Sequence, residues 1–226
     1  MHLLLVRHGE STGNAAQRFE GLVDGPLTEV GRAQARALAQ RLKSRYDVRA
    51  IYASPLQRAR QTAEIAAETL GLALACDERL KEYDCGLITG MSFAELSQTY
   101  PEVDRGFRES VWHTPIPGEE GIELFQQRIL SAVRDIVSRH TADDTIAIVA
   151  HYVVWTAYLG GLLELDPRKR PPWVLDNASL SIVELGGLRP RLVVVNDTCH
   201  LNHVQRGLGQ GLERSESQGL ERSERQ

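Results

Sequence analysis

Cysteine is scarce in this chain. Cys76, Cys85 and Cys199 are the only three in 226 residues, an odd number with no Cys-x-x-Cys spacing. That argues against a disulfide framework and suits a reducing cytoplasm, with a catalytic thiol left open as a lesser alternative. Long apolar runs are missing as well. Only Met1-His2-Leu3-Leu4-Leu5-Val6 precedes Arg7, too short for the apolar region of a signal peptide, and no later segment is long enough to span a bilayer. The expectation is a cytoplasmic protein with no membrane partner. Nor is charge in excess: 26 Lys+Arg against 30 Asp+Glu leave a net charge of -4. Nothing there points to a nucleic-acid partner, so basic side chains at a site must be a local feature.

What is present is an alternation of strand and helix signals. Leu3 to Val6 reads as a short buried strand running into Arg7-His8-Gly9. Thr28 is an N-cap for a helix carrying Ala33, Ala35, Ala37, Leu38 and Leu42. A second strand, Arg49 to Ala53, stops at Ser54-Pro55. Pro55 suits the first turn of a helix that ends at Gly71. A third strand is predicted over 72–76, and 77–118 reads as irregular except for a short helix with capping-box spacing from Ser92 to Glu95. A helix over 122–140, a strand from Thr145 to Ala150 entering His151, a helix over 153–163 and strands over 179–185 and 192–195 complete the order.

This pattern predicts an α/β domain over residues 1–205, with helices on both faces of a mainly parallel central sheet. Residues 206–226 are different. Gly211-Leu212-Glu213-Arg214-Ser215-Glu216 nearly repeats as Gly219-Leu220-Glu221-Arg222-Ser223-Glu224, charged and poor in apolar residues, so a disordered tail is expected.

Ligands of such sheets bind at the carboxyl ends of the strands, where Arg7-His8, Ser54 and His151 all fall. Phosphoryl transfer needs a nucleophile, cations around the equatorial oxygens and an acid for the leaving oxygen. His8 offers an imidazole that is neutral near pH 7, and Arg7 a planar fork matched to phosphate. Gly9 would let the backbone approach a ligand closely. Arg58 lies in the first turn of a helix, where anions are favoured, whereas Arg60 reads as a solvated surface residue. Glu82 is a candidate acid. Two histidines without a third ligand at recognisable spacing make a weak case for zinc.

In that order the motifs resemble the histidine phosphatase superfamily, the phosphoglycerate mutase-like family. Arg7-His8-Gly9-Glu10 is similar to its signature, followed by Asn14 and by Gly21-Leu22-Val23-Asp24-Gly25-Pro26-Leu27-Thr28-Glu29-Val30-Gly31. Ser54-x-Leu56-x-Arg58-Ala59 with Thr62-Ala63, Glu82-x-x-x-Gly86-x-x-x-Gly90, Pro117-Gly118-Glu119-Glu120, Ala150-His151 and Asn196-Asp197-Thr198-x-His200-Leu201 are similar to later blocks. The resemblance implies a three-layer, phosphoglycerate mutase-like sandwich and a phosphomonoester hydrolase. His8 would take the phosphoryl group, Arg7, Arg58 and His151 would bind it, and Glu82 would act as acid and then base. Asn14 and the backbone near Gly21 would line the pocket. The resemblance implies no metal or organic cofactor and a small phosphorylated metabolite as partner. Oligomeric state stays open, a homodimer included.

Two departures bear on substrate. Tyr152 stands where the family has Gly after its second histidine, so either the turn differs or the ring lines the pocket. Gly121 replaces a serine hydroxyl. The short stretch Gly90 to Gly118 lacks the basic insertion of the cofactor-dependent phosphoglycerate mutases, because Arg105 and Arg108 are too scattered. A mutase, and an inactive relative that only binds phosphorylated ligands, are the alternatives to a phosphatase.

Overall fold

Leu3, Leu4, Leu5 and Val6 are all buried because their strand, β1 (His2–Arg7), lies inside a sheet and is covered on both faces. In the computed structural model, which describes residues 1–108, 114–169, 171–187, 189–202 and 204, β1 pairs in parallel with β4 (Thr145–Ala150) and antiparallel with β5 (Leu180–Glu184). Outward from β4 lie β2 (Val48–Ala53) and β3 (Leu74–Cys76), both parallel, and outward from β5 lies β6 (Arg191–Asp197), antiparallel. The order is β3-β2-β4-β1-β5-β6. The sheet is therefore parallel through its first four strands, as the βα alternation predicts, and antiparallel at one edge. Gly186-Gly187 falls in the β5–β6 connection, short enough only for an antiparallel return.

Helices cover both faces. Leu38 and Leu42 of α2 (Glu29–Arg45) and Ala59, Ala63 and Ala66 of α3 (Gln57–Leu70) pack with Leu4, Val6, Ala147 and Val149 on one side. Phe125, Ile129 and Val133 of α6 (Ile122–Val137) and Trp155 of α7 (Tyr152–Leu162) pack with Leu3, Leu5, Ile146 and Ile148 on the other. Alternate residues of β1 and β4 thus feed opposite cores, which makes the three-layer sandwich.

The predicted caps hold. Thr28 accepts from Gly31 N–H, Ser92 and Glu95 form a reciprocal capping box, and Gly71 ends α3 at φ 71°. Pro55 is not in the first helical turn; Leu56 is the N-cap and α3 begins at Gln57. Two helices arise where none is expected. Ser11 caps the single turn α1 (Thr12–Ala15), and α5 (Pro101–Arg108) begins with proline, whose missing N–H has no helical partner to lose. α5 follows α4 (Phe93–Thr99), inside the stretch read as irregular. The 206–226 tail lies outside the described residues.

Trp155 ties α7 to the strand that carries the signature. Its indole Nε1 donates to the Val6 carbonyl at 2.7 Å, within the core. Trp155→Phe keeps an aromatic ring but removes the side-chain bond to a buried strand carbonyl and leaves a small void. The expected loss is about 1–3 kcal/mol, read by denaturant unfolding. An unchanged midpoint would show that the bond contributes nothing net.

Candidate active site

Three crossovers bring the predicted residues together at the carboxyl edge of the sheet. β1 delivers Arg7-His8, β2 leads through Ser54 into Arg58 on α3, and β4 ends at His151, the N-cap residue of α7. His8 and His151 stack edge to face with ring centroids 5.1 Å apart. The His8 backbone is held on both sides: its N–H donates to Ala150, and its carbonyl accepts from Ala178 N–H and Asn177 Nδ2. Nδ1 of His8 lies 2.7 Å from the Gly9 carbonyl. A carbonyl can only accept, so Nδ1 carries the proton of the neutral ring and the Nε2 lone pair is free. Burial, then the charges of Arg58 and Arg7, hold the His8 pKa well below the usual imidazole range.

Arg58 is buried, with Nη1 donating to Val23 O at 2.7 Å and Nη2 to Gly21 O at 2.8 Å. Gly21 takes φ 49°, which aims that carbonyl at the guanidinium, and a side chain there would press on the Tyr83 and Cys85 backbone. Arg7 donates from Nη1 to Leu175 O at 2.5 Å, and burial lowers its pKa from the ordinary arginine value. His151 is buried too; its Nε2 lies 2.8 Å from Ser54 Oγ, and burial followed by Arg58 and His8 drives its pKa well down. Arg7 Nε, Arg58 Nε and His151 Nδ1 are all buried without a hydrogen-bond partner. Such atoms are rare in proteins. Here three belong to residues that act on the His8 imidazole, His151 through ring contact and Arg58 and Arg7 through their charge.

Glu82 completes the group. It is buried, accepting from Tyr83 N–H at 2.9 Å and Val153 N–H at 3.3 Å. Burial raises its pKa, opposed by those two N–H bonds and by Arg58 and Arg7. The loop that bears it is braced by Arg128 of α6, which donates to the Arg79 and Lys81 carbonyls and grips both Glu120 oxygens. Glu120 in turn accepts from Asp84 N–H.

Tyr152 is the first residue of α7 and has no positive φ, and the Arg7 guanidinium lies 5.3 Å from the centre of its ring. Gly121 is the N-cap residue of α6 at φ 83°, a conformation a serine would adopt only with strain. Gly9 proves to serve packing within the fold. A Cβ there would meet the Gly31 carbonyl at 2.5 Å, so its small size lets α2 approach the signature strand. Asn14 accepts from Asn177 Nδ2 at 2.8 Å and donates to Glu20 at 3.3 Å.

Glu20 and Asn177 were missed in the sequence. Glu20 is a nearly buried carboxylate that accepts from Ser11 Oγ and lies 3.7 Å from Arg58 Nε. A glutamate three residues after Gln17 in a short loop carries no sequence signal for burial. Thr62, named in the second motif block, takes the Gly9 N–H at 3.1 Å.

The thiols do not compete as nucleophiles. Burial pushes Cys85 up to about 12 and raises Cys76, and the Asp197 carboxylate raises Cys199. Among the described residues, one set is spaced to share a metal ion: Asp197, Cys199 and His200. Its carboxylate is committed to Arg41 and to the Cys199 N–H, and His200 Nε2 to the Ala178 carbonyl. Among the described residues no helix is long and apolar enough to cross a membrane.

Comparison with known proteins agrees with this geometry. Residues 3–198 match the sequence profile of the histidine phosphatase superfamily, branch 1. Phosphoserine phosphatase 1 of Hydrogenobacter thermophilus is 36% identical over 199 residues, spanning 88% of this chain and 93% of that protein. YhfR of Bacillus stearothermophilus superposes with a TM-score of 0.81 at 33% identity, covering 89% of this chain and 99% of the other. A phosphoserine phosphatase of Entamoeba histolytica, solved as a mutant in complex with phosphoserine, superposes at 0.75 with 28% identity over 88% and 98% of the two chains. With the signature, the fold and the relatives in agreement, the chain belongs to the histidine phosphatase superfamily, branch 1, as a phosphatase.

Proposed function

We propose that the domain of residues 1–205 hydrolyses small phosphomonoesters through a phosphohistidine on His8. Nε2 of His8 attacks phosphorus while the bond to the ester oxygen breaks, and Glu82 gives that oxygen its proton. Arg7, Arg58 and His151 take the charge on the three remaining oxygens. Asn14, the Gly21 backbone and Tyr152 border the substrate. In the second half, Glu82 as carboxylate removes a proton from water, whose oxygen attacks phosphorus and releases His8. The observation that carries the reading is the buried neutral His8 imidazole, packed against His151 and flanked by the charges of Arg58 and Arg7. The site is built for an anion with several oxygens.

Each pKa shift suits its role. Lowering His8 keeps its lone pair available, and raising Glu82 lets it hold the proton it must give. A dianionic phosphoryl group entering among Arg7, Arg58 and the two histidines relieves the repulsion that, after burial, lowers the histidines. No step needs a metal. A cytoplasmic location is part of this reading, supported by three free cysteines.

Steady phosphate release from a metabolite panel tests this reading against the mutase alternative. Release should continue at the same rate with or without a bisphosphoglycerate primer. Isomerisation of phosphoglycerate faster than phosphate release, in the presence of primer, would reverse it.

A further inference from the structure

Three neighbouring strands of the sheet, β2, β4 and β1, are followed at their carboxyl ends by Ser54, His151 and His8. The sheet therefore sets these residues in a row. Ser54 N–H donates to Val149 O and His8 N–H to Ala150 O, so both flanking residues are pinned to the end of β4.

The hydroxyl beside His151 decides where that ring carries its proton. Ser54 is fully buried, and its Oγ has one proton to give and two lone pairs. One lone pair takes the Leu56 N–H at 3.3 Å. His151 Nε2 lies 2.8 Å away, and among the described residues the hydroxyl proton has no other acceptor. With a proton on Nε2, that proton would point at Ser54. The hydroxyl proton and the Nδ1 lone pair would then both be buried and unpaired. With Nε2 bare, the hydroxyl donates to it and only Nδ1 lacks a partner. The second arrangement strands one buried group fewer, and each stranded group costs about 1–3 kcal/mol. Burial, followed by the charge of Arg58, keeps the ring neutral, so its single proton sits on Nδ1.

His8 is held in the opposite sense. Its Nδ1–H is tied to the Gly9 carbonyl, and Nε2 keeps the lone pair. The two rings stand edge to face, 5.1 Å apart. Both are neutral, yet one has a lone pair to spare and the other an N–H.

We propose that Ser54 is a positioning residue that fixes His151 in its Nδ1–H form, so that this nitrogen donates to an oxygen of the phosphoryl group attacked by His8. The proposal rests on the phosphomonoesterase reading above, in which His151 binds that group. Ser54 occupies Nε2, so Nδ1 is the nitrogen left for the role. The other form would turn a lone pair toward the phosphoryl oxygens, where a donor fixed in advance is needed.

NMR of the imidazole nitrogens in the ¹⁵N-labelled full chain reads the tautomer directly. His151 should show a protonated Nδ1 and a bare Nε2, and saturating inorganic phosphate should shift the Nδ1 signal. A protonated Nε2, or an Nδ1 signal that phosphate leaves in place, would overturn the proposal. Both readings come from the native chain and stand whether or not a variant folds. Ser54→Ala should populate the Nε2–H form and lower kcat about tenfold or more, with a smaller change in KM. A folded Ser54→Ala that loses activity with its tautomer unchanged would make Ser54 a packing residue. One that changes tautomer at full activity would separate the tautomer from the reaction. Either result overturns the proposal. His8→Ala keeps the two readings apart: hydrolysis that survives it refutes the phosphohistidine reading, whereas a protonated Nε2 in native His151 refutes only the role of Ser54.

Discussion

His8→Ala should lower kcat for any phosphomonoester by at least about a thousandfold, with the folded state retained. The size of the effect follows from what the ring does. Its Nε2 keeps a free lone pair, since Nδ1 is committed to the Gly9 carbonyl. The alternative nucleophiles are poor: the three thiols are all held protonated by raised pKa values, and Cys76 and Cys199 are exposed elsewhere. Phosphate binding should survive much better than turnover, because Arg7, Arg58 and His151 remain. Product inhibition by inorganic phosphate measures that directly. A variant that lost phosphate affinity and kept its turnover number would assign His8 to binding instead.

Glu82→Gln should lower kcat about 10²–10⁴-fold with a smaller change in KM, the amide being unable to give or take the proton. The pH profile makes the assignment specific. His8 must be neutral and Glu82 protonated for the first step. Activity should therefore fall on the acid side as His8 gains a proton, below the ordinary imidazole value of 6.5. It should fall on the alkaline side as Glu82 ionises, above the ordinary carboxyl value of 4.5. Glu82→Gln should remove the alkaline limb and leave the acid one.

Stability should move the other way. Burial raises the Glu82 pKa, so the folded state binds that proton more tightly than the unfolded chain does. The resulting stabilisation is present below pH 4.5 and is lost as pH rises through the raised value. Gln lacks this titration, although its amide also turns one acceptor of the Tyr83 and Val153 N–H groups into a donor. The Tm of Glu82→Gln relative to the parent should therefore be higher at pH 8 than at pH 4. A lower Tm together with unchanged kcat would make Glu82 a structural residue.

Much of this site was legible before any coordinates, for a physical reason. Parallel strands place their carboxyl ends on one edge, so residues at positions 7–8, 54 and 151 had to converge once each preceding run was read as a strand. Arg58 followed because a helix had to begin soon after Ser54. Glu82 was legible only through resemblance, since its segment is irregular and a glutamate in a loop has no periodicity to report. The roles of Glu20, Asn177 and Arg128 were hidden for the same reason. Each acts through a contact distant in sequence, such as Asn177 to His8 or Arg128 to the Glu82 loop. α5 escaped because Pro101 reads first as a breaker, although it opens a helix. The antiparallel edge was open for β5, whose partner β1 is the most distant strand in sequence.

The most direct measurement is a search for the covalent intermediate. The full chain is mixed with substrate, stopped at alkaline pH within a turnover, digested and examined by mass spectrometry. The prediction is one phosphoryl group on the peptide containing His8, absent from His8→Ala and longer-lived in Glu82→Gln, whose water step is impaired. Phosphate released at the normal rate with no phosphoryl group on His8, or with the group on another residue, would contradict the account.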